Sequence, residues 1–422
     1  MRQASGTGGS APMSAAAPAD VDGSVLDRVA ARRTLNLLGD ATALHMAGFF
    51  EQGPGFIAEM NRWTGSYLHA DKARRSDDAG FAAGRLFLCH LANDDERFLA
   101  WARRLVDGVA AAVEAGGPYT PASMDLYYGL CWGANITGSE RWTRAAIDAA
   151  RGRVAATWSE SAGGFLSPAA RGSVSAVEGL AWQAPVLAWA ARREPDLADY
   201  LVRTLERWLE IGFIREDGST YHVAEFDGEH RFQRFTTYQG YSETSTWARG
   251  HAWGMHGLTA GWEATRDGRL LDAACRMSDW WIGRTREERV PFYDFDDPNA
   301  PEIPRDSCAA AIAADVLLRL ARAAPAGERA QAYEAAADAT LAELIRNHLS
   351  PGGVLLHGSS GNARDTVFGR ASSRLPPDRA GDSRTHRFPM EEVMPYGNLF
   401  IVSALYRRLN ADWSAIDIEA LP

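Results

Sequence analysis

Several features that would assign a chain to a common class are missing from this sequence. The four cysteines lie far apart and form no CxxC pair, so neither a disulfide framework nor a zinc site is predicted. No apolar run is long enough to span a membrane, and the first residues lack the pattern of a signal peptide. We therefore expect a cytoplasmic protein whose cysteines are buried free thiols.

Positive charge is also in short supply. The chain has 44 basic against 54 acidic residues, a formal net charge of -10, and Lys72 as its only lysine. A nucleic-acid partner is not expected, because binding a phosphate backbone needs a basic surface. An acidic surface still permits an anionic sugar as substrate wherever an arginine supplies local positive charge.

Extended segments are rare, and helical patterns dominate from about residue 25 onward. The 422 residues are 46% hydrophobic, enough for a large core. Alanine, leucine, arginine and tryptophan recur at helical spacing. Polar turns separate pairs of amphipathic helices at 91–99, 136–142, 193–201 and 265–271. Repeated helical hairpins predict a solenoid or, if the ring closes, an all-α barrel of the α/α type.

The remaining segments define the ends of this domain and one of its rims. Residues 1–24 are predicted to be a disordered tail, and residues 25–422 a single domain. The segments 218–237 and 351–361 are predicted to form small hairpins over one rim. The stretch 359–388, rich in serine, arginine, aspartate and proline, is predicted to be a long surface loop.

Two carboxyl groups are candidates for acid/base chemistry. In a closed ring of helical hairpins the inner helices run in the same direction, so their N-termini meet on one rim. Asp125 and Glu178 fall in the first turns of two such helices. The alternative is that they only favour the helix dipole. A general acid here needs its pKa raised by burial or by a like-charged neighbour, which each carboxyl could supply to the other. Asp306 is interpreted as a helix N-cap.

The densest group of binding residues lies in 238–263, YQGYSETSTWARGHAWGMHGLTAGWE. Gln239, Trp247, Arg249 and Trp253 can face one pocket if the segment before Trp247 is a loop and the rest is helical. Arginine offers a planar fork to a carboxylate, and tryptophan offers a flat wall to a sugar ring. The alternative is a buried aromatic helix with one arginine reaching solvent.

Two histidines near this run have open interpretations. His222 lies in the extended segment 218–237, where a solvated hairpin histidine is the simpler interpretation. His251 lies within the helix and is either a pocket residue or a core histidine. Its spacing of five from His256 is poor for a shared metal on one helix face, and no metal-binding constellation is predicted.

Several of these runs resemble a known enzyme family. The run YQGYSETSTWARGHAWGMHGL resembles the signature of the unsaturated glucuronyl hydrolases, glycoside hydrolase family 88, as does VPFYDFDDPNAPEIPRDSCAAAIAADVLLRL at 290–320. MDLYYGLCWGANITGSERW at 124–142 resembles the segment around that family's first essential aspartate. VEGLAWQAPVLAWA at 177–190 resembles a helix of the related family 105, the unsaturated rhamnogalacturonyl hydrolases. The likeness spans about residues 75 to 405.

The resemblance implies an (α/α)6 barrel that binds a sugar with a C4=C5 double bond. In this family an acid protonates C4, water adds at C5, and the resulting hemiketal opens to release the aglycone sugar, with no metal or cofactor. By position, Asp125 matches the first essential aspartate and Glu178 the acid/base residue. The residues that the resemblance places against the substrate are His222, Gln239, Trp247, Arg249, His251 and Trp253.

The sequence also departs from the family pattern. Glutamate replaces aspartate at 178, Met124 stands where family 88 usually has histidine, and His251 where it usually has glutamine. Family tryptophans are absent from 76–88 and from 165–168. Two alternatives therefore stay open: a glycosidase that uses both carboxyls on a saturated or metabolite glycoside, and a sugar-binding relative without turnover. Oligomeric state is open as well.

Overall fold

The computed structural model describes residues 26–52, 56–60, 64, 66–70, 77–116, 125–169, 172–323, 327–360 and 390–421. Structural statements below refer to these residues. The helices are α1 (Arg28–Glu51), α2 (Asp77–Asn93), α3 (Glu96–Glu114), α4 (Trp132–Thr137), α5 (Glu140–Thr157), α6 (Val177–Ala191), α7 (Ala198–Glu210), α8 (Ala248–Thr265), α9 (Gly268–Arg284), α10 (Ser307–Ala323), α11 (Glu328–Glu343) and α12 (Pro395–Leu409). A π-helical segment, Asp125–Cys131, leads directly into α4.

The helices form a closed double ring. The inner ring consists of α2, the π-helical segment with α4, α6, α8, α10 and α12, and each member contacts the next. Contact between α12 and α2 closes this ring, while the remaining helices pack around it. The inner helices α8 and α10 are buried along almost their whole length. The predicted (α/α)6 barrel is thus confirmed.

Outer helices begin at the polar turns that the sequence marks. Asp95 caps α3 by accepting a hydrogen bond from the Arg97 amide, and Asp267 caps α9 in the same way. Ser139 caps α5 through the amide of Trp142. These side chains satisfy amides that lack a partner within the helix, so each cap fixes where its helix starts.

Close packing of α6 against α8 depends on glycine. A Cβ on Gly257 would lie 2.8 Å from Leu180 Cγ and 3.1 Å from the backbone nitrogen of Ala181. Since both distances are shorter than ordinary contacts, only glycine allows these two inner helices to approach this closely. The approach fixes the position of the first turn of α6, which carries Glu178, relative to α8.

Short strands lie at the rim where the inner helices begin. The strands are β1 (Phe56–Met60), β2 (Tyr67–Ala70), β3 (Trp158–Ser159), β4 (Gly164–Phe165), β5 (Ser167–Ala169), β6 (Gly172–Ala176), β7 (Val223–Phe226), β8 (Phe232–Thr236), β9 (Gly358–Ser360) and β10 (Met390–Glu392). An antiparallel sheet has the order β5-β6-β7-β8, and the other strands form antiparallel pairs, β1 with β2, β3 with β4 and β9 with β10.

The predicted hairpins are largely present. Strands β7 and β8 form the hairpin expected in 218–237, while 351–361 supplies β9, which pairs with β10. The predicted tail, residues 1–24, and most of the predicted loop 359–388 lie outside the described residues, so the domain boundary at 25 stays a prediction. Among the helices described, none is long and apolar enough to cross a membrane.

Candidate active site

Three strand ends bring the candidate site together. The β6–β7 pairing joins Ala176 to Val223, and the amide of Val177 donates to the carbonyl of His222 at 2.9 Å. The β7–β8 pairing joins Val223 to Thr236. The end of β6, the start of β7 and the end of β8 therefore lie side by side at this edge of the sheet. The residues next to these strand ends include Glu178, His222 and the segment 237–239.

Glu178 lies at the centre of this cluster with its two carboxylate oxygens in different environments. The side chain is buried. Oε1 accepts hydrogen bonds from the Tyr238 hydroxyl, from Gln239 Nε2 at 3.2 Å and from His222 Nε2 at 3.4 Å. Oε2 is also 3.4 Å from His222 Nε2, but within the described part of the chain it receives no hydrogen bond. One oxygen is anchored by three donors, and the other has none among the described residues.

The surroundings of Glu178 favour its ionised form. Burial raises the pKa of its carboxyl, but the charge of His222 and hydrogen bonds from His222 and Tyr238 outweigh burial. The pKa therefore lies below its ordinary value. A general acid in this position needs an influence that raises its pKa. Burial supplies that influence, yet the donors around Oε1 overcome it.

His222 is held in place by a second hydrogen bond. Its Nδ1 lies 2.7 Å from Thr237 Oγ1, which also accepts from the amide of Gly240 at 2.7 Å. This contact fixes the orientation of the ring, so that Nε2 faces Glu178. His222 is thus a buried residue of the site and not a solvated hairpin histidine.

Asp125 begins the π-helical segment of the inner ring, and this segment packs against α6. The fold therefore brings the backbone that carries Asp125 beside the helix that carries Glu178. The Asp125 side chain and residue 124 lie outside what the structure describes. A meeting of the two carboxyls stays a prediction.

Trp247 and Arg249 extend the cluster along α8. The Trp247 ring lies 4.8 Å from the His222 ring, and the Arg249 guanidinium lies 5.1 Å above the Trp247 ring. Arg249 Nη1 donates to Asp306 Oδ2 and to the Ser359 carbonyl, both at 2.6 Å. Burial lowers the pKa of Arg249, but the Asp306 charge outweighs it and keeps the guanidinium ionised.

Asp306 does more than the predicted cap. Its Oδ1 accepts from the amides of Cys308 and Ala309 at 3.1 Å, which caps α10, while Oδ2 holds Arg249. Both members of this ion pair are buried. An anionic ligand of Arg249 would therefore bind to a guanidinium whose Nη1 is occupied.

The remaining candidate residues on α8 lie on different faces of the helix. Successive helical residues are about 100° apart, so Arg249, Trp253 and His256 share a face, whereas His251 lies about 200° from Arg249. The Trp253 ring packs edge-on against Tyr396 at 6.0 Å and is buried on the Arg249 side. Contact between Trp253 and a ligand stays a prediction.

His251 is placed away from the cluster. It is fully buried, its Nε2 lies 3.0 Å from the Met277 carbonyl of α9, and its ring is 4.7 Å from Trp280. Burial lowers its pKa to about 4, so it is neutral at ordinary pH. The substrate contact that the sequence analysis assigned to His251 does not fit this position, because the side chain points to the outer ring. The core-histidine interpretation fits.

Tyr238 is the residue that sequence reasoning missed. It precedes Gln239 in the run quoted above, and its hydroxyl donates to Glu178. The signal that could have identified it is the Glu178 carboxylate, which needs hydrogen-bond donors once it is buried. The two residues are 60 positions apart, so the local sequence does not show the contact. For the described residues, no group of three or more histidine, cysteine, aspartate or glutamate side chains is arranged to hold a metal ion.

The chain is similar to proteins of known activity. No family model matches the chain. It is 29% identical over 300 residues to the unsaturated glucuronyl hydrolase of Bacillus sp. strain GL1, covering 67% of this chain and 76% of that protein. It is 34% identical over 152 residues to the unsaturated chondroitin disaccharide hydrolase of Streptococcus pyogenes serotype M1, covering 34% of this chain and 38% of that protein.

Solved structures share the fold. The crystal structure of the Bacillus sp. GL1 unsaturated glucuronyl hydrolase has a TM-score of 0.75 and 22% identity, covering 90% of this chain and 97% of that one. A variant of the Streptococcus agalactiae unsaturated glucuronyl hydrolase, complexed with dGlcA-GalNAc6S, has a TM-score of 0.70 and 18% identity, covering 92% and 94%. The resemblance to unsaturated glucuronyl hydrolases predicted from sequence is confirmed.

Proposed function

We propose that this unsaturated glucuronyl hydrolase-like protein hydrolyses unsaturated uronyl glycosides by hydrating their C4=C5 double bond. Similarity to a glucuronyl hydrolase over two thirds of the chain supports this class of substrate. The observation that carries the proposal is Glu178, a buried carboxylate with one anchored oxygen and one oxygen without a hydrogen bond in the described structure. The proposed substrate is an oligosaccharide that bears a carboxylate.

The proposed chemistry uses a single carboxyl group as acid and then as base. Protonated Glu178 gives its hydrogen to C4, and the π electrons of the double bond form the new C4–H bond. Positive charge develops at C5, where the ring oxygen stabilises it. Water then forms the C5–O bond while Glu178 removes its proton, which restores the protonated carboxyl.

The hydrated product decomposes without further help from a cofactor. The C5 hemiketal breaks its bond to the ring oxygen and becomes a ketone. The ring oxygen remains on C1 as a hydroxyl, and this hemiacetal expels the aglycone alcohol to leave an aldehyde. Loss of the double bond and release of the aglycone therefore occur in equal amounts.

The other residues are proposed to bind and orient the ring. His222 and Gln239 hold Glu178, while Trp247 offers an apolar face beside His222. Arg249 is the proposed partner of the substrate carboxylate, since its guanidinium lies beside Trp247, whose ring adjoins His222. Asp125 is proposed to tune Glu178 or to orient ring hydroxyls.

The experiment follows the ultraviolet absorbance of the conjugated double bond in a panel of unsaturated uronyl disaccharides. The wild-type protein should remove this absorbance, and Glu178→Gln should abolish the reaction, since an amide cannot donate the proton. Glu225→Gln is the matched control, because Glu225 lies on β7 beside His222 but pairs with Arg234. Its activity should match wild type.

Three results would reject the proposal. Turnover by Glu178→Gln at the wild-type rate would remove this residue from the chemistry. Cleavage of saturated glycosides alone would favour the glycosidase alternative. Binding of every disaccharide without turnover would favour a sugar-binding relative.

A further inference from the structure

We propose that Tyr238 is a positioning residue of the reaction: by donating its hydroxyl hydrogen to Glu178 Oε1, it keeps Oε2 as the oxygen that exchanges a proton with the substrate. This inference rests on the proposed function for the reaction itself. The asymmetry of the carboxylate is observed independently of that function.

The hydrogen-bond donors around Glu178 gather on Oε1. Tyr238, Gln239 and His222 all donate to this oxygen, while Oε2 is buried and receives no hydrogen bond among the residues described. A proton bound to Oε1 would have to displace one of these donors. A proton bound to Oε2 displaces none, so protonation falls on Oε2.

The three donors to Oε1 differ in chemistry. Gln239 Nε2 and His222 Nε2 lie 3.2 and 3.4 Å from Oε1, whereas Tyr238 donates through a hydroxyl. The centroid of the Tyr238 ring also lies 4.4 Å from that of the His222 ring, so these two donors pack against each other. Tyr238 is therefore a donor to Oε1 that packing holds in place beside the carboxyl.

Tyr238 also affects the pH at which Glu178 takes up its proton. Hydrogen bonds to an ionised carboxylate stabilise the ionised form, so losing one raises the pKa of the acid. Burial and the Glu178 charge raise the pKa of Tyr238 well above its usual value, so its hydroxyl stays protonated and remains a donor. Among the described side chains, the other titratable groups facing the carboxyl are His222 and Tyr293, whose hydroxyl donates to the Gln239 carbonyl. Arg249 and Asp306 form the adjacent ion pair.

The expected effect has a definite sign. The active form carries a proton on Glu178, so kcat/KM falls as pH rises above the pKa of that carboxyl. In Tyr238→Phe this pKa is higher, and the descending limb should move to higher pH. One hydrogen bond to a charged group corresponds to a shift of about 1–2 pH units.

The test has two independent readouts on the full chain. The first is the pH profile of kcat/KM for Tyr238→Phe and for the matched control Tyr221→Phe. Tyr221 adjoins His222 but stacks on Phe235, so its profile should not move. The second is an infrared pH titration in which the Glu178→Gln spectrum is subtracted, which isolates the Glu178 carboxyl without turnover. Melting curves confirm that each variant is folded.

The proposal is supported if the infrared titration of Tyr238→Phe shows a higher pKa for Glu178 and the descending limb of kcat/KM moves to higher pH by a similar amount. An unchanged titration overturns it, whether or not activity falls, because a structural role alone would not move the titration. A wild-type protein without turnover would reject the proposed function. The infrared result would still decide whether Tyr238 holds the carboxyl.

Discussion

Replacing Asp306 with alanine should leave the buried Arg249 guanidinium without its counter-charge. Asp306 Oδ2 lies 2.6 Å from Arg249 Nη1, and both side chains are at most 3% exposed. Stranding one charge of such a pair destabilises a protein by about 3–5 kcal/mol. Oδ1 also caps α10, and loss of a cap adds about 1 kcal/mol. We therefore expect a loss of about 4–6 kcal/mol.

The assay is thermal unfolding followed by circular dichroism. At about 2.1 cal/mol/K per residue, unfolding of 422 residues has an entropy of about 0.9 kcal/mol/K. The predicted loss then lowers the melting temperature by about 4–7 °C. Asp95→Ala is the matched control, because Asp95 also caps a helix and pairs with an arginine whose side chain is 70% exposed. It should lower the melting temperature by about 1 °C.

A double variant separates charge from packing. Asp306→Ala combined with Arg249→Met removes both charges, so it should recover most of the loss that Asp306→Ala causes alone. If Asp306→Ala melts within about 1 °C of Asp95→Ala, Arg249 is not held as a buried cation and the reasoning is refuted.

The remaining predictions concern the packing around the site. Gly257→Ala should lower the free energy of unfolding in urea by about 1–3 kcal/mol, because its Cβ would meet Leu180. The control Gly283→Ala, which has open space around it, should lose no stability. Equal losses in the two variants would contradict the close contact between α6 and α8. Burial lowers the pKa of His251 to about 4, so the unfolded chain binds the extra proton and stability falls as pH drops from about 6.5 toward 4. Wild type should lose about 2 kcal/mol more stability between pH 7 and pH 5 than His251→Gln. The KM of this variant should be unchanged, whereas a raised KM would place His251 at the substrate.

The fold could be predicted from local signals. Asp95, Ser139 and Asp267 mark helix starts that the structure confirms, and helical periodicity between them predicts the repeated hairpins. Ring closure needed the resemblance, because contact between α2 and α12 joins segments far apart in the chain. The short strand β6 was missed, since it pairs with β7, which lies far along the chain.

The site was predicted in part. The resemblance brought Glu178, His222 and Gln239 to attention, and the structure gathers all three, with distances that only the pairing of β6, β7 and β8 could set. Tyr238 was missed because its importance depends on that long-range pairing. His251 was misplaced although the helical phase relative to Arg249 already puts it on the opposite face.

The claim on which the account depends is that Glu178 delivers a proton to C4 of an unsaturated uronyl group. The most direct measurement is turnover in deuterated water, with the product analysed by nuclear magnetic resonance and the double-bond absorbance recorded in parallel. The account predicts one deuterium on a single face of C4 and one double bond lost for each aglycone released. Release of the aglycone with the double bond intact and no deuterium at C4 would contradict it.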